Sequence, residues 1–341
     1  MKLTKKWLRA VAMIMAAVLV ASLLAGCAGR QSEDELRTVR VSEVTRSVFY
    51  APQYVALALG FFEDEGLSID LVTAEGADRV MTALISGAAD IGLSGPEAAI
   101  YVYIEGREDH AVVFAQLTQR DGSFLMARQP DDNFEWESIR GSHLLPGRRG
   151  GMPYMTLSHV VREAGLTPGV DVDFDSSIQF AAMTGAFLSG TADFVTVFEP
   201  TASTIALEGR GYIVASVGEW AGELPYTAYY AQQSFIHDNP EVIQGFANAL
   251  ARGQHWVNTH TPEETAEVIA PFFPEADPVI MASAIANYKR IQAYATAPMV
   301  SETAFYRLQD IMEQAGELSE RAPFETLVDN SFARRAVENL G

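Results

Sequence analysis

Val39-Arg40-Val41-Ser42-Glu43-Val44 alternates with a period of two, and Tyr54, Leu57, Ala58 and Phe61 then recur at helical spacing up to Gly66. The first pattern is that of a strand, the second that of a helix covering it. The alternation continues: 67–72 reads as a strand and 78–86 as a helix with Val80, Met81, Leu84 and Ile85 inward. Residues 91–93 read as a buried strand, 96–105 as a helix with proline in its first turn, and 111–117 as a fourth strand. A βαβαβαβ run predicts parallel strands joined by crossover helices in a doubly wound α/β layer.

Working outward, 124–127 is extended and 129–133 is loop-like, and a second alternating unit follows. It has a turn at 146–153, a helix over 154–164 (Tyr154, Leu157 and Val161 inward), a strand at 172–174, a helix at 182–188 and a strand at 194–198. Residues 227–232 are extended and can carry the chain back. From 240 to 340 the pattern is helical, with Val242, Ile243, Phe246 and Leu250 on one stripe.

On the other side lies a leader. Lys2, Lys5, Lys6 and Arg9 form a basic head, and 10–24 is an apolar run shorter than the ~20 residues of a spanning helix. The run ends in Leu24-Ala25-Gly26-Cys27, similar to the lipobox of bacterial lipoproteins, which predicts removal of 1–26, acylation of Cys27 and a polar tether over 27–36. Two acyl chains anchor stably where one is marginal.

The 341 residues, 48% hydrophobic and 20% charged, exclude a disordered or multi-span chain. Without 1–26 the chain carries 20 basic against 44 acidic side chains, a net charge of −24, so nucleic acid is not an expected partner. Cys27 is the single cysteine, and its expected acylation leaves no thiol, which excludes disulfides, iron–sulfur clusters and a cysteine nucleophile. None of the six histidines has metal-ligand spacing. Asp171-Val172-Asp173-Phe174-Asp175 starts like a calcium loop, but Ser176 replaces its glycine and Ala182 its bidentate acid. Gly92-Leu93-Ser94-Gly95-Pro96 is no nucleophile elbow, because proline takes the last glycine position, and Gly147-Arg148-Arg149-Gly150-Gly151 lacks the Lys-Ser/Thr ending of a phosphate loop. Neither an enzyme, a metal nor a cofactor is expected.

Tyr50-Ala51-Pro52-Gln53-Tyr54-Val55-Ala56 leading into Gly60-Phe61-Phe62-Glu63-Asp64-Glu65-Gly66-Leu67 resembles the first helix and turn of type II solute-binding proteins of bacterial ABC importers. Within these, the resemblance is to the thiamine-precursor, riboflavin, alkanesulfonate and nitrate group. The segments 83–92 and 187–194 are similar to the group's L-x-x-G-x-x-D motif, and Phe198-Glu199-Pro200 to its aromatic-acid-proline turn. The resemblance implies a periplasmic-binding-protein type II fold with two lobes, two hinge crossovers and a helical C-terminal part. Lobe 1 is expected to comprise 37–122 plus 227–341, and lobe 2 123–226. It implies a ligand between them, an ABC permease as partner, a monomer, and a place on the outer face of the cytoplasmic membrane.

Ligands of open α/β sheets sit beyond the carboxyl ends of the strands. The loops there offer Phe49, Tyr50, Tyr154, Phe198 and Tyr226 as aromatics, Arg79 and Arg120 as cations, and Glu97 and Glu199 as anions. Gly76, Ser94, Gly95, Gly150, Gly151 and Met152 lie at or beside helix starts whose N–H groups can receive an oxygen. Aromatics with carboxylates favour an N-heterocycle, such as a thiamine precursor or a riboflavin-like vitamin, over a sulfonate or nitrate. A pyrimidine-precursor synthase on the same fold is the alternative in another class, but it needs a cysteine-rich motif. A sensing module docked on a receptor kinase is a third.

Overall fold

The computed structural model describes residues 36–340, and the leader, Cys27 and most of the tether fall outside them. The first strands are where the alternation puts them: β1 (Arg37–Glu43), β2 (Leu67–Thr73), β3 (Ile91–Ser94) and β4 (Ala111–Thr118). Between them lie α1 (Ala51–Ala58), α2 (Phe61–Asp64), α3 (Ala77–Ile85) and α4 (Glu97–Ile104). The expected single helix up to Gly66 is two, because Gly60 takes a left-handed φ of 73° that ends α1 and starts α2.

The sheet is not wholly parallel. Its order is β2-β1-β3-β10-β4, and β10 (Thr227–Gln232) runs antiparallel between β3 and β4, with Tyr229 opposite both Leu93 and Ala115. The returning segment thus pairs in the middle of the sheet, where all but the last of its residues are buried.

A second five-stranded sheet has the order β7-β6-β8-β5-β9. Its strands are β5 (Ser123–Ala127), β6 (His143–Leu145), β7 (Asp173–Phe174), β8 (Phe194–Phe198) and β9 (Tyr212–Ser216), with β5 antiparallel to both neighbours. Its helices are α5 (Met152–Glu163), α6 (Phe180–Ser189), α7 (Thr201–Leu207) and α8 (Val217–Ala221). Period-two alternation sends Phe124 and Met126 into the large core and Leu125 into a smaller one with Trp136, Leu157 and Val161.

The paired L-x-x-G-x-x-D motifs do the same work in each sheet. Asp90 accepts the backbone N–H of Arg40 on β1 (2.9 Å), and Asp193 accepts that of His143 on β6 (2.9 Å). Each aspartate fixes the strand beside the one that it precedes.

Two crossovers connect the sheets and run against each other. Leu224 N–H donates to the Gln119 carbonyl (3.0 Å), Tyr226 N–H to the Thr118 carbonyl (3.1 Å), and the Thr118 and Thr227 hydroxyls meet at 2.6 Å. Gly218 is obligatory here, since a Cβ would lie 2.1 Å from the Asp121 carbonyl oxygen.

The tail is helical as its pattern predicts. Its elements are α9 (Gln233–Asp238), α10 (Pro240–Thr259), α11 (Pro262–Ile269), α12 (Pro278–Arg290), α13 (Glu302–Gln314), α14 (Phe324–Leu327) and α15 (Ser331–Asn339). The stripe Val242, Ile243, Phe246 and Leu250 of α10 is buried, and Gly253 admits the Pro52 carbonyl of α1, which a Cβ would meet at 2.2 Å. α12 packs on α7 and α13 on α5, so the tail reaches both sheets.

Candidate functional site

Three chain turns meet where the carboxyl ends of the strands face each other. After β1, the Ser47 hydroxyl accepts the Phe49 N–H (3.1 Å) and turns Phe49 and Tyr50 inward, where both are buried. The Phe49 ring lies 4.9 Å from Tyr288, 5.8 Å from Phe198, 5.8 Å from Tyr226 and 5.9 Å from Tyr50, centroid to centroid. These rings come from β1's loop, β8's end, the second crossover and α12. A glycine is required at 122, because a Cβ would lie 2.6 Å from the Phe49 ring. Phe180 closes the outer side, 6.1 Å from Phe198 and 55% exposed.

After β3, Ser94-Gly95-Pro96 delivers Glu97 as the first residue of α4. Its carboxylate folds back over Gly95, where a Cβ would stand 1.9 Å from Glu97 Oε2 and 2.7 Å from Met152 Cγ. The oxygen seat expected at this helix start is therefore occupied from within, by the helix's own glutamate. Burial pushes the Glu97 carboxyl up to about 7, against the lowering effect of its own N–H and of the Arg148 charge.

After β4, Asp121 Oδ1 accepts the Ser123 N–H (2.6 Å), and the side chain is wholly buried. Burial raises it to about 7 as well, opposed by Ser123, Tyr226 and Thr156. The Tyr226 hydroxyl lies near Asp121, Glu97 and Tyr50, and burial with the Asp121 charge holds its pKa far above the ordinary range. It approaches Asp121 without completing a hydrogen bond.

Four buried carboxylates surround the region, and they differ. Glu43 accepts from Gln53 Nε2 (3.0 Å), the Tyr54 hydroxyl (2.7 Å) and Thr73 Oγ1 (2.9 Å), with Gln53 held in turn by Tyr229 (2.7 Å). Burial still raises its pKa. Glu199 accepts from Ser203 N (2.9 Å), Ser203 Oγ (2.8 Å) and Asn287 Nδ2 (2.6 Å). By contrast Glu97 Oε2, Asp121 Oδ2, Ser123 Oγ and the Tyr226 hydroxyl are buried without a partner, four of the eight such side-chain atoms among the described residues. Unmatched polar atoms are costly and rare in folded proteins, so their concentration marks this junction.

The structure thus gathers Phe49, Tyr50, Gly95, Glu97, Met152, Phe198 and Tyr226 from the sequence reading. The others are engaged with partners of their own. Glu199 is committed to the first turn of α7 and to Asn287. Arg79 is exposed and pairs with Glu75 (3.3 Å), and Gly76 stands beside it. Arg120 points to Gln292 (3.5 Å), and the Tyr154 ring packs on Phe174 (5.8 Å). Ser94 Oγ pairs with the Tyr230 hydroxyl (2.6 Å). Gly150 gives its carbonyl to Tyr101 (3.3 Å), and Gly151 precedes α5. Sequence reasoning missed Asp121, Ser123 and Tyr288. The Asp-Gly-Ser that follows Arg120 carries the only local signal, and it reads as a turn.

Comparison with known proteins gives three results. The family model described as NMT1/THI5 like matches residues 48–265. A Bacillus subtilis (strain 168) chain named for a binding role, YtlA, is 39% identical over 330 residues, covering 97% of this chain and 98% of the relative. Among solved structures, the alkanesulfonate-binding protein SsuA from Xanthomonas axonopodis pv. citri, bound to MOPS, superposes with a TM-score of 0.70 at 15% identity. It covers 87% of this chain and 99% of its own. The nitrate-binding protein NrtA from Synechocystis PCC 6803 gives 0.67 at 14%, covering 90% and 89%. At such identities the two structures establish the fold: the two-sheet binding-protein architecture expected from sequence.

Proposed function

The chain belongs to the NMT1/THI5-like family, and from that premise we propose that it is an extracytoplasmic solute-binding protein that hands a small molecule to an ABC permease. The observation that carries this reading is the set of unpartnered polar atoms (Glu97, Asp121, Ser123, Tyr226) buried among aromatic rings where the two sheets face each other. An interior of this kind is an unfinished one, and a ligand finishes it.

The two lobes are 37–122 with 227–341, and 123–226; they close about the paired crossovers. Closure follows from the solute's preference for the closed form. Cys27 carries the lipid that keeps the receptor at the membrane as a monomer. Among the described residues no helix is long and apolar enough to cross a membrane.

The solute is an aromatic nitrogen heterocycle of the vitamin-precursor kind. A ring laid among Tyr50, Phe49, Phe198 and Tyr226 gains about 0.5–1.5 kcal/mol per aromatic pair beyond area burial. Alkanesulfonate and nitrate, named for the two fold neighbours, would meet two buried carboxylates and no buried cation paired with either. A thermal-shift panel of pyrimidines, flavins, sulfonates, nitrate and carboxylates tests the reading. A bound heterocycle at a hundredfold excess over Kd adds about 2.7 kcal/mol of stability. Stabilisation by a sulfonate or nitrate alone, unchanged in Tyr50→Ala, contradicts it.

A further inference from the structure

Resting on the solute-binding reading, we propose that the solute is held as a cation, with Glu97 and Asp121 receiving its charged N–H donors. The buried carboxylates differ in how they are closed. Glu43 and Glu199 are each closed by three donors of the protein itself. This chain therefore builds complete cradles where a carboxylate is structural. Glu97 Oε2 has no donor, and Asp121 Oδ2 has no completed hydrogen bond although the Ser123, Tyr226 and Thr156 hydroxyls lie beside it; the Tyr226 hydroxyl (residue 4% exposed) and Ser123 Oγ (0% exposed) are unmatched too.

Among the described residues no cation forms an ion pair with either carboxylate, although Arg148 acts on Glu97 from the surface and Arg120 Nε is buried without a partner. The groups facing Glu97 are the hydroxyls of Tyr50, Tyr101, Tyr226 and Tyr230, and Arg148, which is exposed. Asp121 is faced by Tyr226, Tyr288, Ser123 and Thr156. Arg120, its neighbour in sequence, turns to Gln292 instead. A buried charge lacking a partner is far more costly than a paired one, and an incoming cation with N–H groups offsets one of the two charges while donating to both carboxylates. An anion would add a like charge to both.

The same arrangement couples capture to protons. Burial raises both carboxyls to about 7 in the solute-free protein, so near neutrality each is part protonated, and a bound cation favours their ionised forms. Affinity for a cation then falls as pH drops through about 7 and levels off above it. A neutral solute gives little slope, and an anion the opposite one.

The test is differential scanning fluorimetry at about pH 6 and about pH 8. The probes are 4-aminopyridine and benzamidine as cations, uracil and nicotinamide as neutral molecules, and methanesulfonate and nitrate as anions. A cationic probe should raise the melting temperature, more so at the higher pH. Glu97→Gln and Asp121→Asn should each weaken its affinity on the order of tenfold to a hundredfold, the factor expected for a hydrogen bond to a charged group. Each variant should melt no lower than the wild type, which a merely structural carboxylate would not allow. Silence from both cations, or cation affinity untouched by either variant, overturns the proposal. If only a neutral or anionic probe stabilises, the cation assignment falls while solute binding stands. If no probe of any class binds and the purified protein releases no small molecule on denaturation, the solute-binding reading falls too.

Discussion

Replacing Glu97 by glutamine should stabilise the solute-free protein, and by an amount that depends on pH. The carboxyl titrates at about 7 in the folded protein against an ordinary value of 4.5, with burial as the leading cause. Below 4.5 it is protonated in both the folded and unfolded chains and contributes no difference. Between 4.5 and 7 the unfolded chain ionises while the folded chain keeps its proton, so the native state loses ground as pH rises. Above 7 both are ionised, and the folded state bears the whole cost. At about 1.36 kcal/mol per pH unit of displacement, that cost is about 3 kcal/mol. Glutamine fits the same space and cannot ionise, so Glu97→Gln should gain about 2–3 kcal/mol at pH values above 7 and close to nothing below 4.5. Urea unfolding of wild type and variant at both ends of this range measures it. A variant less stable than the wild type above pH 7, or a difference that does not change with pH, would refute the claim that Glu97 is buried without a donor for its second oxygen.

Other expectations follow from the structure and, for Cys27, from the sequence of the leader. Tyr54→Phe removes a 2.7 Å donor from the buried Glu43 and should cost about 1.5–3 kcal/mol in denaturant unfolding. Gly218→Ala drives a Cβ against the Asp121 carbonyl, and a loss on the order of 1–3 kcal/mol should lower its melting temperature. Solute should reduce the radius of gyration in small-angle scattering, whereas an unchanged curve with a bound solute would remove hinged closure. Cys27→Ala should release the protein from membranes with its solute affinity intact, and fatty-acid labelling of the wild type checks the anchor directly.

The alternating pattern made most of both α/β units legible, wherever a strand or helix is long enough to show its period. β6 and β9 did not show: β6 has three residues, and β9 lies between two stretches that were not read as elements. The extended stretch 227–232 was legible as β10, but its antiparallel place between β3 and β4 was not, since nothing within it says which strands it will separate. At the site, local chemistry was visible and partnership was not. Glu97 and Glu199 look alike in sequence, each at a proline turn after a strand. What distinguishes them is Asn287, 88 positions from Glu199, and the lack of any such donor for Glu97. Asp121 was not singled out, because its neighbours Tyr226 and Thr156 are distant along the chain. Phe49 and Tyr50 were legible because the turn that buries them is written in the adjacent residues.

The central claim is that a nitrogen heterocycle completes the junction of Tyr50, Glu97, Asp121 and Tyr226. The most direct measurement is mass spectrometry of what the protein releases on denaturation, after purification from cells supplied with growth-medium vitamins and their precursors. Wild type should release a small nitrogen heterocycle in near-stoichiometric amount, and a folded Tyr226→Ala variant should release little or none. A sulfonate or other oxyanion released equally by both, or a folded wild type that releases nothing and is stabilised by no heterocycle, would contradict the account.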